Sequence, residues 1–84
     1  MVTVDSIQAR QSIAARGLLG WTQSDLSEKS GISISAVKNY ERGVTNSVGT
    51  TAALRLAFEA HGIRFIIDSH AGMNDIGVIL REKD

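Results

Sequence analysis

Apolar positions change their spacing once along the chain, close to Gly62. Before it they recur at helical intervals; after it they gather in short β-branched runs. Proline is absent, so glycines and capping residues mark the boundaries. Asp5 or Ser6 is placed to cap a first helix that runs to about Gly17, with Ile7, Ile13 and Ala14 near helical spacing and Arg10 and Gln11 outside. Gly17-Leu-Leu-Gly20 then breaks it. Thr22 opens a second helix: its hydroxyl can cap the amide three residues on, where Asp25 is a shorter form of the capping-box acid. That helix closes at Ser30-Gly31, glycine supplying the left-handed conformation. Ser33 caps a third helix from about Ile34 to Arg42, ended by Gly43. Val44 to Gly49 reads as a polar loop, and Thr50 to His61 as a fourth helix with Leu54, Ala57 and Phe58 on one side and Gly62 as its stop.

Beyond Gly62, Ile63–Ile67 and Ile76–Leu80 read as strands, joined by a turn-rich loop from Asp68 to Asp75. Alternation puts Ile63, Phe65 and Ile67 on one face with Ile76, Val78 and Leu80, ready to pack on the fourth helix; Ile66 and Ile79 fall on the other face. The expected fold is mainly α: four helices followed by a C-terminal antiparallel β-hairpin. Length predicts one domain, since domains run from about 50 to 250 residues. Within it, residues 1–62 form the helical part, 22–43 its central helix pair, 63–81 the hairpin and 82–84 a tail. A chain this short buries only about 60–65% of its unfolded surface and often leans on a partner.

Composition narrows the function mostly by exclusion. Without cysteine there is neither a disulfide nor a thiolate metal site, which fits a reducing cytoplasm. The first residues carry no signal-peptide pattern, and no apolar run approaches the roughly 20 residues of a membrane helix. Nine basic and nine acidic residues cancel. The part up to Asn46 holds five Lys/Arg against four acids, so bulk charge gives little help to nucleic-acid binding. Affinity of that kind has to come from locally placed donors and helix N-termini.

The third helix carries such donors. Two short helices joined by a glycine-containing turn form a helix-turn-helix, the geometry that lays the second helix in a major groove. Val37 and Tyr40 can face inward, with Leu26 and Ile32 as neighbours; Ser35, Lys38, Asn39 and Arg42 then project outward, and Ile34 stands at the N-terminal tip. Asn can pair with adenine through two atoms, Ser can bond several base edges, and Ile can meet a thymine methyl. Lys38 and Arg42 equally suit phosphates, which fix register without reading sequence.

The stretch from Leu19 to Gly43 resembles the helix-turn-helix of the Cro and phage-repressor (XRE-type) regulators. Thr22-Gln23, Leu26, the small Ser27, Gly31, Ser33, the apolar Val37 and Glu41-Arg42-Gly43 carry the resemblance, which extends over about residues 10–62. It implies that Thr22 and Gln23 meet a phosphate from the second helix's N-terminus. It implies that Ser33, Ile34, Ser35, Lys38 and Asn39 face bases or the adjoining backbone, and that Arg42, Thr45 and Asn46 contact phosphates. It also implies a structural ion pair between Arg16 and Glu41. Ile34 departs from the pattern, which commonly has a polar residue there; a partly buried staple at the helix start is the competing role.

Where many relatives of that kind end in a fifth helix, this chain ends in its hairpin. Phe65, Ile66, Ile67, Val78 and Ile79 are the candidate dimer residues, because an isolated hairpin is marginal in water. A homodimer places two reading helices about one DNA turn apart on a pseudo-palindromic site. Trp21 fits a core or lid position better than a stacking platform. His61 and His70 have no partner at metal spacing, and Asp68-Ser69-His70 is no triad, since adjacent turn residues point in different directions. No catalytic residues, cofactor or metal ligands are expected. The expectation is a cytoplasmic DNA-binding regulator acting on double-stranded DNA through the major groove; the alternative is a protein-interaction module of the same fold, as in antitoxins and anti-regulators.

Overall fold

The structure is a computed structural model that describes residues 7–45 and 47–83. It contains α1 (Ala9–Leu19), α2 (Gln23–Ser30), α3 (Ile34–Glu41), α4 (Val48–Glu59), β1 (Ile63–His70) and β2 (Met73–Leu80), the strands forming one antiparallel hairpin. The protein is therefore mainly α with a small sheet.

Helix α1 differs most from its expected outline. Asp5 and Ser6 lie outside the described residues, and Gln8 holds the cap position. The helix continues through Gly17 to Leu19 and stops at Gly20, whose φ of 71° is the left-handed conformation. An interior glycine costs a helix only about 1 kcal/mol, so Gly17 does not end it. The inward face is also different. Ile13 and Ala14 are exposed, whereas Gln11, Ser12 and Ala15 are buried. Gln11 explains why a polar residue faces in: its Nε2 donates to the backbone oxygens of Ile66 at 3.1 Å and Gly77 at 3.0 Å, while its Oε1 accepts the Gln8 N–H at 2.9 Å. Ile66 and Gly77 pair across the hairpin; Ile66 turns its side chain to the far face and glycine has none, so the near face over them is bare backbone.

Helices α2 and α3 form as their caps dictate. Thr22 Oγ1 accepts the Asp25 N–H at 3.0 Å and Asp25 Oδ2 accepts the Thr22 N–H at 2.8 Å. Gly31, at φ 76°, turns the chain, Ser27 Oγ donates to the Ile32 carbonyl, and Ser33 Oγ accepts the Ala36 N–H at 3.2 Å. Val37, Tyr40 and Leu26 are buried together with Leu54, Ala57 and Phe58 of α4. Tyr40 donates to the Ile7 carbonyl at 2.9 Å, and burial pushes its phenol pKa up. Helix α4 starts at Val48, earlier than expected, because Ser47 caps it by accepting the Thr50 N–H at 3.1 Å.

The hairpin is longer than its apolar runs. Pairing continues through Asp68↔Asp75 and Ser69↔Asn74 to His70↔Met73, leaving only Ala71-Gly72 as the turn. Both turn residues have positive φ, 54° and 76°, as a two-residue primed turn requires. Alternation holds along its length. Ile63 and Phe65 are buried, and Ile67, Val78 and Leu80 pack against the same core. The sheet rests on α1 through β2 and on α4 through β1. Gly62 joins α4 to β1 at φ 94°, where a β-carbon would stand 2.6 Å from the Arg81 carbonyl oxygen.

Candidate nucleic-acid interface

Helix α3 presents its polar side outward. Ser33 and Ser35 stand exposed at its N-terminal end with their hydroxyl oxygens 3.5 Å apart, and Ile34 beside them is 37% exposed. Lys38 and Arg42 are exposed further along. Asn39 is half-buried, and its Oδ1 accepts a hydrogen bond from Arg42 Nη2, which leaves the amide NH2 as its outward donor. Gln23, Ser35, Lys38, Asn39 and Arg42 line a shallow depression of about 280 Å³ between the start of α2 and the exposed side of α3.

One carboxylate holds this face in place. Glu41, its side chain 3% exposed, accepts from Arg16 Nη2 at 2.7 Å and Nε at 3.0 Å, from Ser12 Oγ at 2.5 Å and from Gln23 Nε2 at 3.1 Å. Arg16 also donates to the Trp21 carbonyl at 3.1 Å. The network joins α1, α2 and α3 and so fixes how α3 sits against the start of α2. Burial alone would push the Glu41 pKa up, but the hydrogen bonds from Arg16, Ser12 and Gln23 and the arginine charge outweigh it and hold the carboxyl below its ordinary value. Among the described residues no buried side-chain polar atom lacks a partner.

A comparison with protein families matches residues 13–57, just over half of the chain, to the family described as Helix-turn-helix. The chain belongs to the XRE-type helix-turn-helix family of Cro and phage-repressor regulators. That is a family of DNA-binding transcription regulators. No curated protein matches the chain. The family match ends within α4, so the hairpin lies outside it.

Within this helix-turn-helix, several residues sit otherwise than their types suggested. The Thr22 hydroxyl and N–H are both committed to the capping pair with Asp25, and the Gln23 side-chain amide is turned to Glu41. Thr45 is half-buried beside Ile7, Gln8 and Tyr40, and Asn46 lies outside the described residues. Trp21, by contrast, takes the core position expected of it, stacked on Phe58 with ring centroids 5.7 Å apart. Of the hairpin residues, Phe65, Ile67 and Val78 pack into the protein's own core, leaving Ile66 half-buried and Ile79 40% exposed on the far face. His70 is not isolated, contrary to its spacing in sequence: its Nδ1 lies 3.9 Å from a carboxylate oxygen of both Asp68 and Asp75. Reading residues 68–75 as loop hid this, because only strand pairing brings Asp75 opposite Asp68. Ser12 and Gln23 as partners of Glu41 were also missed; a serine four residues before Arg16, on the same helix face, was the available signal. No helix among the described residues is long and apolar enough to cross a membrane.

Proposed function

We propose that the protein is a sequence-specific transcription regulator that binds a pseudo-palindromic site on double-stranded DNA as a homodimer, in the manner of a repressor or Cro-like switch. The observation that carries this reading is the outward face of α3: short hydrogen-bonding groups and cations around a depression, held at a fixed angle by the Glu41 network. In the reading helix, Ser33, Ile34, Ser35, Lys38 and Asn39 meet base edges, and Arg42, Thr45 and Asn46 the flanking phosphates. The backbone N–H of Gln23, at the N-terminus of α2 that Thr22 caps, receives a phosphate as helix N-termini do. Asn39, with its carbonyl oxygen already held by Arg42, offers its amide to adenine N7 and shares Oδ1 with the adenine amino group.

With zero net charge, the domain gains much of its affinity from coupling two half-sites. The far face of the hairpin, with half-buried Ile66 and exposed Ile79, and the outer strand edges are the surfaces through which two copies join. Sedimentation at micromolar concentration is expected to show a dimer; a monomer there refutes this part of the proposal.

The DNA reading is tested by anisotropy titrations of the DNA upstream of the protein's own gene against a scrambled duplex. The affinity should fall linearly in log–log form with salt. Asn39→Ala should weaken the specific duplex by about 1–3 kcal/mol and leave the scrambled one unchanged. Equal losses on both duplexes refute base reading by Asn39. The charge balance favours a second reading, a protein-binding module of the same fold; absence of salt-dependent binding to any duplex would decide for it.

A further inference from the structure

The hairpin tip carries a cluster that DNA reading leaves unused. Asp68 and Asp75 stand directly opposite each other in the antiparallel register, and His70 follows Asp68 by two residues, hence on the same face. This is the face turned away from the core, and the three residues are exposed. The His70 Nδ1 lies 3.9 Å from Oδ2 of Asp68 and 3.9 Å from Oδ2 of Asp75, and the three ligand atoms all lie within 4.8 Å of one another. The other oxygen of Asp68 accepts the Ser69 N–H at 2.8 Å, which turns Oδ2 towards the histidine.

Two features of the fold make this more than a chance grouping of polar groups. Like charges directly opposite in an antiparallel pair repel and destabilise it, so the Asp68–Asp75 pair favours a cation between them. The tight Ala71-Gly72 turn closes immediately beyond His70, which restricts how far the three side chains can be carried apart. One imidazole nitrogen with two carboxylates suits a divalent transition ion, whereas calcium and magnesium take oxygen ligands alone. Zinc–ligand bonds of about 2.0–2.1 Å in a tetrahedron place ligand atoms roughly 3.4 Å apart. The present 3.9 Å separations approach that value, and exposed side chains close the difference by small torsional shifts.

We propose that Asp68, His70 and Asp75 form a binding site for a divalent transition-metal ion, of which zinc is the representative, with water completing the coordination. The ion bridges β1 and β2 and neutralises the facing carboxylates, so it tightens the outer half of the hairpin. Because it binds the paired strands, it stabilises the folded state by mass action.

Titration of the full chain with zinc chloride at neutral pH, followed by calorimetry and by the nitrogen resonances of the two histidines, tests this. The expected result is one saturable site at micromolar zinc, with His70 and the Asp68 and Asp75 amides shifting and His61 unchanged. His70→Ala and Asp68→Asn should each lower the affinity by more than about tenfold, since loss of outer-shell partners alone costs 10–100-fold. His61→Ala should bind as the parent does. All three ligands are exposed, so the variants keep the fold, which circular dichroism verifies. No saturable heat and no histidine shift up to millimolar zinc, undiminished binding by His70→Ala, or loss of binding in His61→Ala overturns the proposal.

Discussion

Arg16→Met is expected to lower folding stability by about 3–5 kcal/mol, because it removes the cation from a buried carboxylate and leaves the charge behind. Glu41 is almost wholly enclosed and Arg16 only 18% exposed, so solvent screening takes little from the pair. Methionine keeps the aliphatic stem, and the loss reports the guanidinium: its bonds to Glu41 and its bond to the Trp21 carbonyl. Urea titration followed by the fluorescence of the single tryptophan measures it. Arg16→Met combined with Glu41→Met should recover most of the loss, since a buried pair can often be replaced by apolar residues at little net cost. A double variant no more stable than the single one would mean that the arginine works by packing.

The same network gives the protein an acid limit with a definite sign. The folded-state pKa of Glu41 is lowered relative to the unfolded chain. Its contribution is therefore complete above the ordinary glutamate value, about 4.3, and is lost as pH falls through the lower folded value. Stability of the parent should drop steeply over that acid range, while the double methionine variant should drop less. Parallel curves for the two proteins would remove Glu41 from the account.

The second large effect is at Phe58. Its side chain is fully buried between Trp21, stacked at 5.7 Å, and Phe65, met edge-on at 5.8 Å. Phe58→Ala should cost about 3–5 kcal/mol. For a domain of this size that lowers the melting temperature by roughly 15 °C or more. Leu56, two residues earlier but 67% exposed, provides the control: Leu56→Ala should change stability by no more than about 0.5 kcal/mol. Similar losses at both positions would show that α4 does not pack as described.

The contrast of α2 and α3 with α1 explains which helices are legible in the sequence. Helices α2 and α3 announce themselves because each start, turn and stop rests on a local rule: Thr22 with Asp25, Gly31, Ser33, Gly43. Their apolar residues also mark the true inner face. In α1 the same reasoning chose the wrong face. Its inward side meets a carboxylate and a pair of sheet carbonyls, so it needs Ser12, Arg16 and Gln11, and hydrophobic spacing points instead to the exposed Ile13. The hairpin turn was hidden for a different reason. Ala71-Gly72 lacks the Asn-Gly or Asp-Gly signature, while Asn74-Asp75, which looks like a turn, is paired strand. The polar face of α3 and the Arg16–Glu41 pair were legible; the Asp68–His70–Asp75 grouping was not, since it exists only in the register of two strands.

That register has a guard outside the sheet. A one-residue slip of an antiparallel pair would turn every side chain to the opposite face, and two-stranded hairpins with apolar residues on both faces resist such slips poorly. Gln11 reaches only backbone, and only where the Ile66 side chain points away from it and Gly77 has none. A slipped β2 would bring a side chain into the space its amide occupies and strand a buried donor. A residue near the beginning of the chain thus proofreads the alignment of two strands near its end.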